Sequence, residues 1–102
     1  MNKKYTVEVL ERAVRDIAEI YEYIKQDNES AALKIYNEIE KAVKDLCDFP
    51  FKGSQADKTD QSMSGYRFVT VKPYLIFYKI NGGTITVYHV IDGKRDYLNI
   101  LF

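Results

Sequence analysis

Five charged residues in the last third of the chain have the types and spacing to do chemistry: Arg67, Lys72, Lys94, Arg95 and Asp96. Set among strand-forming residues, the four cations could make a weak anion-binding face for a macromolecule. Other chemistry is sparse. The single histidine, His89, and the single cysteine, Cys47, cannot make a recognisable metal cluster, so no metal and no cofactor are expected. His89 falls on an alternating strand and reads as structural, with at most a supporting role. Cys47 reads as a small core or helix-end residue. Gly82-Gly83 does not open a helix, so it is no phosphate-binding loop.

The elements that must position those charges follow from periodicity. Gly65 to Phe102 is dominated by Val, Ile, Thr, Tyr and Phe, which fit a pleated, half-buried surface. Tyr66, Phe68 and Thr70 share one strand face, with Arg67, Val69 and Val71 on the other. Pro73 marks a turn or a sheet edge. Tyr74, Ile76, Tyr78 and Ile80 alternate with Leu75, Phe77 and Lys79; both faces are apolar, so this strand should be central and covered on both sides. Asn81-Gly82-Gly83 is a hairpin signal. Ile85, Val87, His89 and Ile91 then alternate with Thr84, Thr86, Tyr88 and Val90. Three strands on short connections make an antiparallel meander.

The preceding residues are built to cover one side of it. Lys4 to Val9 alternates as a first strand. Ala13, Ile17, Ile20 and Ile24, with Val14 and Tyr21 alongside, form one stripe of a helix of about 16 residues. Arg12–Asp16 and Arg15–Glu19 are spaced for exposed ion pairs. Leu10 and Glu11 offer no good N-cap. Asn28 can cap a second helix, whose stripe is Ala32, Ile35, Ile39, Val43 and Leu46. That helix should stop near Asp48, because Pro50 disfavours helical geometry at Phe49. The result is an antiparallel helical hairpin packed on the sheet: an α+β fold of order β-α-α-β-β-β. Phe49 to Ser64 is a long polar loop, with Phe49 and Phe51 expected to pin its start to the core, and Lys52 and Lys58 reading as solvated charges.

Bulk properties set limits. The 102 residues fit one domain, 1–102, with 46% hydrophobic and 29% charged residues. No apolar run approaches a membrane span of about 20 residues. Glu8 and Glu11 interrupt the N-terminal apolar stretch, against a signal peptide. A lone cysteine fits a reducing cytoplasm. Net charge is zero, yet residues 1–50 hold eight Lys/Arg against eleven Asp/Glu, and residues 51–102 seven against four. The strand half is therefore the basic half, too weakly so to imply strong nucleic-acid binding.

Several stretches in this order resemble the RelE/ParE family of type II toxin–antitoxin toxins, nearly end to end. They are A-V-R-D-I-A-E-I-Y-E-Y-I (Ala13 to Ile24), L-C-D-F-P-F-K-G (Leu46 to Gly53), G-Y-R (Gly65 to Arg67), Y-L-I-F-Y-K-I (Tyr74 to Ile80) and V-I-D-G-K-R-D-Y (Val90 to Tyr97). The resemblance implies a small cytoplasmic bacterial toxin neutralised by a cognate antitoxin, a partner that could dock on an exposed sheet edge or beside the two helices.

The family has two branches. The RelE-like branch cleaves messenger RNA on the ribosome, which requires cations around a phosphate and a proton donor for the leaving oxygen. The resemblance puts Arg67 and Arg95 at two of its basic positions. Val69 and Leu75 stand where it has further basic residues, and Leu101 near its terminal tyrosine; Tyr97 is the candidate substitute. If the chain is a ribonuclease, its catalytic residues are thus Arg67, Arg95 and Tyr97. The ParE-like branch binds and inhibits DNA gyrase without hydrolysis. Gly65-Tyr66-Arg67 and Gly93-Lys94-Arg95-Asp96 resemble it better, although Asp92 stands where many members have histidine. The first reading is therefore a ParE-like binding inhibitor using Arg67, Lys72, Lys94, Arg95 and Asp96. The second is a RelE-like endoribonuclease with an altered site, and the third a non-toxic member that only binds an antitoxin.

Overall fold

Thr6 to Val9 alternates exposed and half-buried residues and forms β1 (Thr6–Val9). The period then changes at Leu10, which stays extended and offers no side-chain cap. The sheet anchors it instead: the Leu10 amide donates to the Val87 carbonyl at 3.1 Å. The first helix, α1 (Glu11–Lys25), buries Ala13, with Ile17, Ile20 and Ile24 packed on the core. Val14, expected beside that stripe, is exposed. Arg12 pairs with Asp16 at 3.5 Å, but Arg15 turns back to Glu11 at 3.3 Å rather than forward to Glu19. The acid-before-base order of Glu11 and Arg15 is the orientation the helix dipole favours.

Asn28 caps α2 (Glu29–Asp45) as expected, its Oδ1 accepting the Ala31 amide at 3.0 Å. Such a cap is worth about 1 kcal/mol. The helix ends three residues before Asp48, because the amides of Leu46, Cys47 and Asp48 bond three residues back to Val43, Lys44 and Asp45. That tighter winding closes the last turn.

Residues 5–56 and 64–94 are described in this computed structural model. Among them the sheet has five strands in the order β1-β5-β4-β3-β2, adding β2 (Ser54–Gln55), β3 (Arg67–Val71), β4 (Tyr74–Asn81) and β5 (Thr84–Asp92). The meander β3-β4-β5 is antiparallel, and β1 joins its β5 edge in parallel, Thr6 opposite Thr84 and Val9 opposite Val87. The hairpin between β4 and β5 turns at Gly82, whose φ of 59° lies in the left-handed region that glycine adopts without strain. β4 is central and covered on both faces: Ile76, Phe77 and Tyr78 are all buried.

α1 lies over β5 and α2 over β3. One core fills the space between helices and sheet, around Ile39, Leu46, Tyr74, Ile76, Tyr78, Ile85 and Val87. Strand alternation sends the other set, Tyr66, Phe77, Ile91, Phe68, Leu75 and Tyr88, to the far face. A bulge between Phe77 and Tyr78 sets Phe77 opposite His89 but Tyr78 opposite Val87, leaving Tyr88 as the extra residue.

The segment after α2 departs from expectation. Phe49 and Phe51 do not enter the core; they are 63% and 60% exposed. Pro50 and Gly53 are the buried positions. Tyr78 holds both, its hydroxyl donating to the Pro50 carbonyl at 2.8 Å and accepting the Gly53 amide at 3.0 Å. A polar phenol at the core boundary, rather than two phenyl rings, therefore seats this segment. It then adds β2 to the edge of β3, Ser54 opposite Phe68 and Gln55 opposite Arg67.

Candidate functional site

Arg67 opens β3, opposite Tyr78 on β4. Alternation places it on the helix-facing side with Val69 and Val71, beyond the end of α2. Its Nη1 donates to the main-chain oxygens of Gly53 at 2.8 Å and Phe51 at 3.3 Å, and the guanidinium lies 5.1 Å from the centre of the Phe51 ring. The exposed Phe51 ring thus covers a cation instead of the core. Burial pushes the Tyr78 hydroxyl above its ordinary pKa, while the Gly53 amide and the nearby Arg67 charge pull it back. With both hydrogen bonds made to main chain, Tyr78 stays a neutral brace and is not placed to move protons.

Lys72 and Lys94 lie at the other end of the same ladder. Lys72 is in the β3–β4 turn, and the Gly93 amide donates to the Pro73 carbonyl at 2.9 Å, so the two lysines are brought close in the backbone. Both are exposed. Arg67 is not beside them: Tyr78 and Tyr74 are four residues apart on β4, roughly 13 Å at the usual strand rise. Of the five charges expected to act together, the three that are described are divided, with Arg67 at one end and Lys72 and Lys94 at the other. Arg95, Asp96 and Tyr97 lie outside the described residues.

Two arrangements escaped the sequence reading. On the far face, Lys79 Nζ lies 4.4 Å from the centre of the Tyr66 ring and 5.5 Å from that of Tyr88. The Tyr66 and Tyr88 rings meet edge to face, 5.3 Å apart. Burial first, and Tyr88 second, raise the Tyr66 pKa. The signal in the sequence was a single cation within an otherwise apolar central strand. The other arrangement is at the helix–sheet junction. Asp16 Oδ2 accepts the Val90 amide at 3.1 Å and lies 3.3 Å from His89 Nδ1. That nitrogen is buried and makes no aligned hydrogen bond, so the contact is one of proximity. His89 therefore sits at a packing seam, and nothing in the sequence linked it to an acid 73 residues earlier. Among the described residues, no group of three or more His, Cys, Asp or Glu is placed to hold a metal ion.

A strand, then two helices packed on a five-stranded sheet, then the remaining strands, is the fold of the RelE and ParE toxins. Residues 7–97 match the family model described as the ParE toxin of the type II toxin–antitoxin system parDE, and the chain belongs to that family. No curated protein matches the sequence. Among solved structures it is similar to a chain of the chromosomal ParDE toxin–antitoxin system from P. aeruginosa. That match has a TM-score of 0.73 and 20% identity, over 87% of this chain and 96% of the other. It is similar also to a chain of the RelBE2 toxin–antitoxin complex from Mycobacterium tuberculosis. There the TM-score is 0.68 and the identity 18%, over 88% of this chain and 99% of the other. At these identities the likeness is one of fold. No described helix is long and apolar enough to cross a membrane.

Proposed function

We propose that this toxin acts by binding, as a ParE-like inhibitor of DNA gyrase in the cytoplasm, and that a cognate antitoxin neutralises it. The observation that carries the reading is the state of Arg67. A phosphoryl-transfer site needs its cations aimed at the phosphate, whereas Arg67 Nη1 is bound to the carbonyls of Phe51 and Gly53. Its described neighbours offer no proton donor, since the Tyr78 hydroxyl is committed to Pro50. The strand-face position that a cation would take in a nuclease is occupied by Leu75, packed with the far-face apolar cluster. The family match across residues 7–97 supports the same branch. The exposed Lys72 and Lys94, with Arg95 and Asp96 beyond them, form the proposed target surface.

The test is direct. Purified chain should inhibit supercoiling by gyrase and trap its cleaved complex, and induced expression should fire an SOS reporter and condense nucleoids. Alanine at Arg95, or at Lys72 and Lys94 together, should relieve toxicity. Normal supercoiling at saturating toxin would refute the gyrase reading. One observation favours the ribonuclease as a second reading: Lys79 between Tyr66 and Tyr88 combines a cation with two phenols on one face. Primer extension on a translated messenger decides it, since discrete cuts that disappear with Lys79→Ala would support that reading over the first.

A further inference from the structure

The groove between α1 and the Tyr74–Asp92 end of the sheet has a volume of about 490 Å³. Its floor is apolar: Ile20 lines it with Tyr74 and Val90, the last two buried. Tyr23 stands at the rim, 73% exposed. Around this floor are three carboxylates, Asp16, Glu19 and Asp92, and one guanidinium, Arg12. Asp16 is already engaged: Arg12 lies 3.5 Å from one of its oxygens and the Val90 amide 3.1 Å from the other. Glu19 and Asp92 pair with no described cation. Lys94 meets Asp92 through its backbone amide, at 2.9 Å, which leaves the carboxylate charge intact. The Tyr74 hydroxyl responds to this field: burial raises its pKa first, and Asp92 and then Tyr23 add to it.

An apolar floor with uncompensated acids at its lip suits a side chain with a long aliphatic stem and a positive head. Arginine and lysine lay such stems on apolar surface while the charge stays at the edge. The aromatic rings of Tyr23 and Tyr74 add a face for the cation. An acidic partner residue would be repelled by Glu19 and Asp92 here.

We propose that this groove receives one arginine or lysine side chain of the cognate antitoxin, its stem on Ile20 and Tyr74 and its charge between Glu19 and Asp92. The proposal rests on the antitoxin reading above and specifies the chemistry of that contact. The probe is the full-length product of the reading frame adjacent to this chain's own, purified in complex with the full chain. Glu19→Lys and Asp92→Lys, each checked by thermal melting for an intact fold, should weaken the complex ten- to a hundredfold, more so at low salt. Reversing one antitoxin Arg or Lys to Glu should weaken the wild-type pair and restore binding to the Glu19→Lys chain at least tenfold. Affinities within twofold of wild type for both toxin variants would overturn the proposal while the antitoxin reading stood. So would variants that changed only self-association of the toxin, since the occupant would then be a second copy. A wild-type chain that forms no complex with that product would instead remove the antitoxin reading, and this contact with it.

Discussion

At the Tyr78 end of the β3–β4 ladder, a guanidinium and a phenol both point into main chain. At the Tyr74 end, Lys72, Lys94 and Asp92 surround a turn without an ion pair among them. The two ends are built from the same kinds of residue. What separates them is the segment after α2, which needs partners for the Pro50, Phe51 and Gly53 peptide groups and finds them in Tyr78 and Arg67. A charged side chain in a fold like this is available to a target only where the backbone has no claim on it. The first end should therefore be governed by stability and the second by binding.

The sharpest way to break that contrast is at Gly53. A Cβ there would meet the Tyr78 hydroxyl and lie 2.8 Å from the Phe68 carbonyl, with the Tyr78 ring carbon at 2.9 Å. The ring is buried and cannot swing away, so Gly53→Ala must displace the segment or the strand. Overpacking of this kind costs about 3 kcal/mol, which in a chain of this size lowers Tm by more than about 10 °C. Urea and thermal unfolding measure it. A Tm within about 2 °C of wild type would show that the segment is loosely seated, and the contrast would fall.

Next in size is Tyr78→Phe, which keeps the ring and removes the hydroxyl. The Gly53 amide and the Pro50 carbonyl lose their partner, a cost of about 2 kcal/mol. The same variant changes the response to alkali. Tyr66, Tyr74 and Tyr78 all have pKa values raised in the folded chain. Above pH of about 10 the unfolded chain gives up these protons first, so it binds fewer than the folded chain and stability falls as pH rises. Stability from these groups is full below their unfolded pKa and is lost through the folded values. Tyr78→Phe should make that alkaline fall shallower while lowering stability at neutral pH. Parallel curves for the two proteins from pH 8 to 12 would mean that Tyr78 is not buried as described.

Periodicity made much of this legible and pair geometry did not. The helix stripes at Ala13, Ile17, Ile20 and Ile24 and at Ala32, Ile39 and Val43 could be read because burial selects residue types at fixed spacing. The two apolar faces of residues 74–80 could be read for the same reason, and the Asn28 cap because its chemistry is local. Arg67 was legible as a charge in a strand, but its use was not. Its partners are carbonyl oxygens, which every residue carries and no sequence marks. The exposure of Phe49 and Phe51 was hidden likewise: hydrophobic residues beside a proline suggest a core anchor, and only the position of Tyr78 reveals that main chain does the anchoring. The parallel docking of β1 on β5 had no local signal, because strand direction is set by how the helical hairpin returns the chain.

The smallest effect on stability should come with the largest consequence for binding, at Lys72 and Lys94. Both side chains are exposed and neither makes a described ion pair or side-chain hydrogen bond, so Lys72→Ala and Lys94→Ala should each move the unfolding free energy by no more than about 0.5 kcal/mol. Arg67→Ala gives the contrasting outcome. It removes the charged donor to Gly53 and Phe51, and at a half-exposed site that should cost about 1–2 kcal/mol. Toxicity measured at matched folded concentration then separates the two ends. If the free cations meet the target, the double lysine variant loses inhibition with an unchanged melt, and its residual binding loses part of its salt dependence. If Arg67→Ala alone abolishes inhibition and the lysine variants retain it, the target reads the braced end, and the segment held by Tyr78 becomes the surface to map.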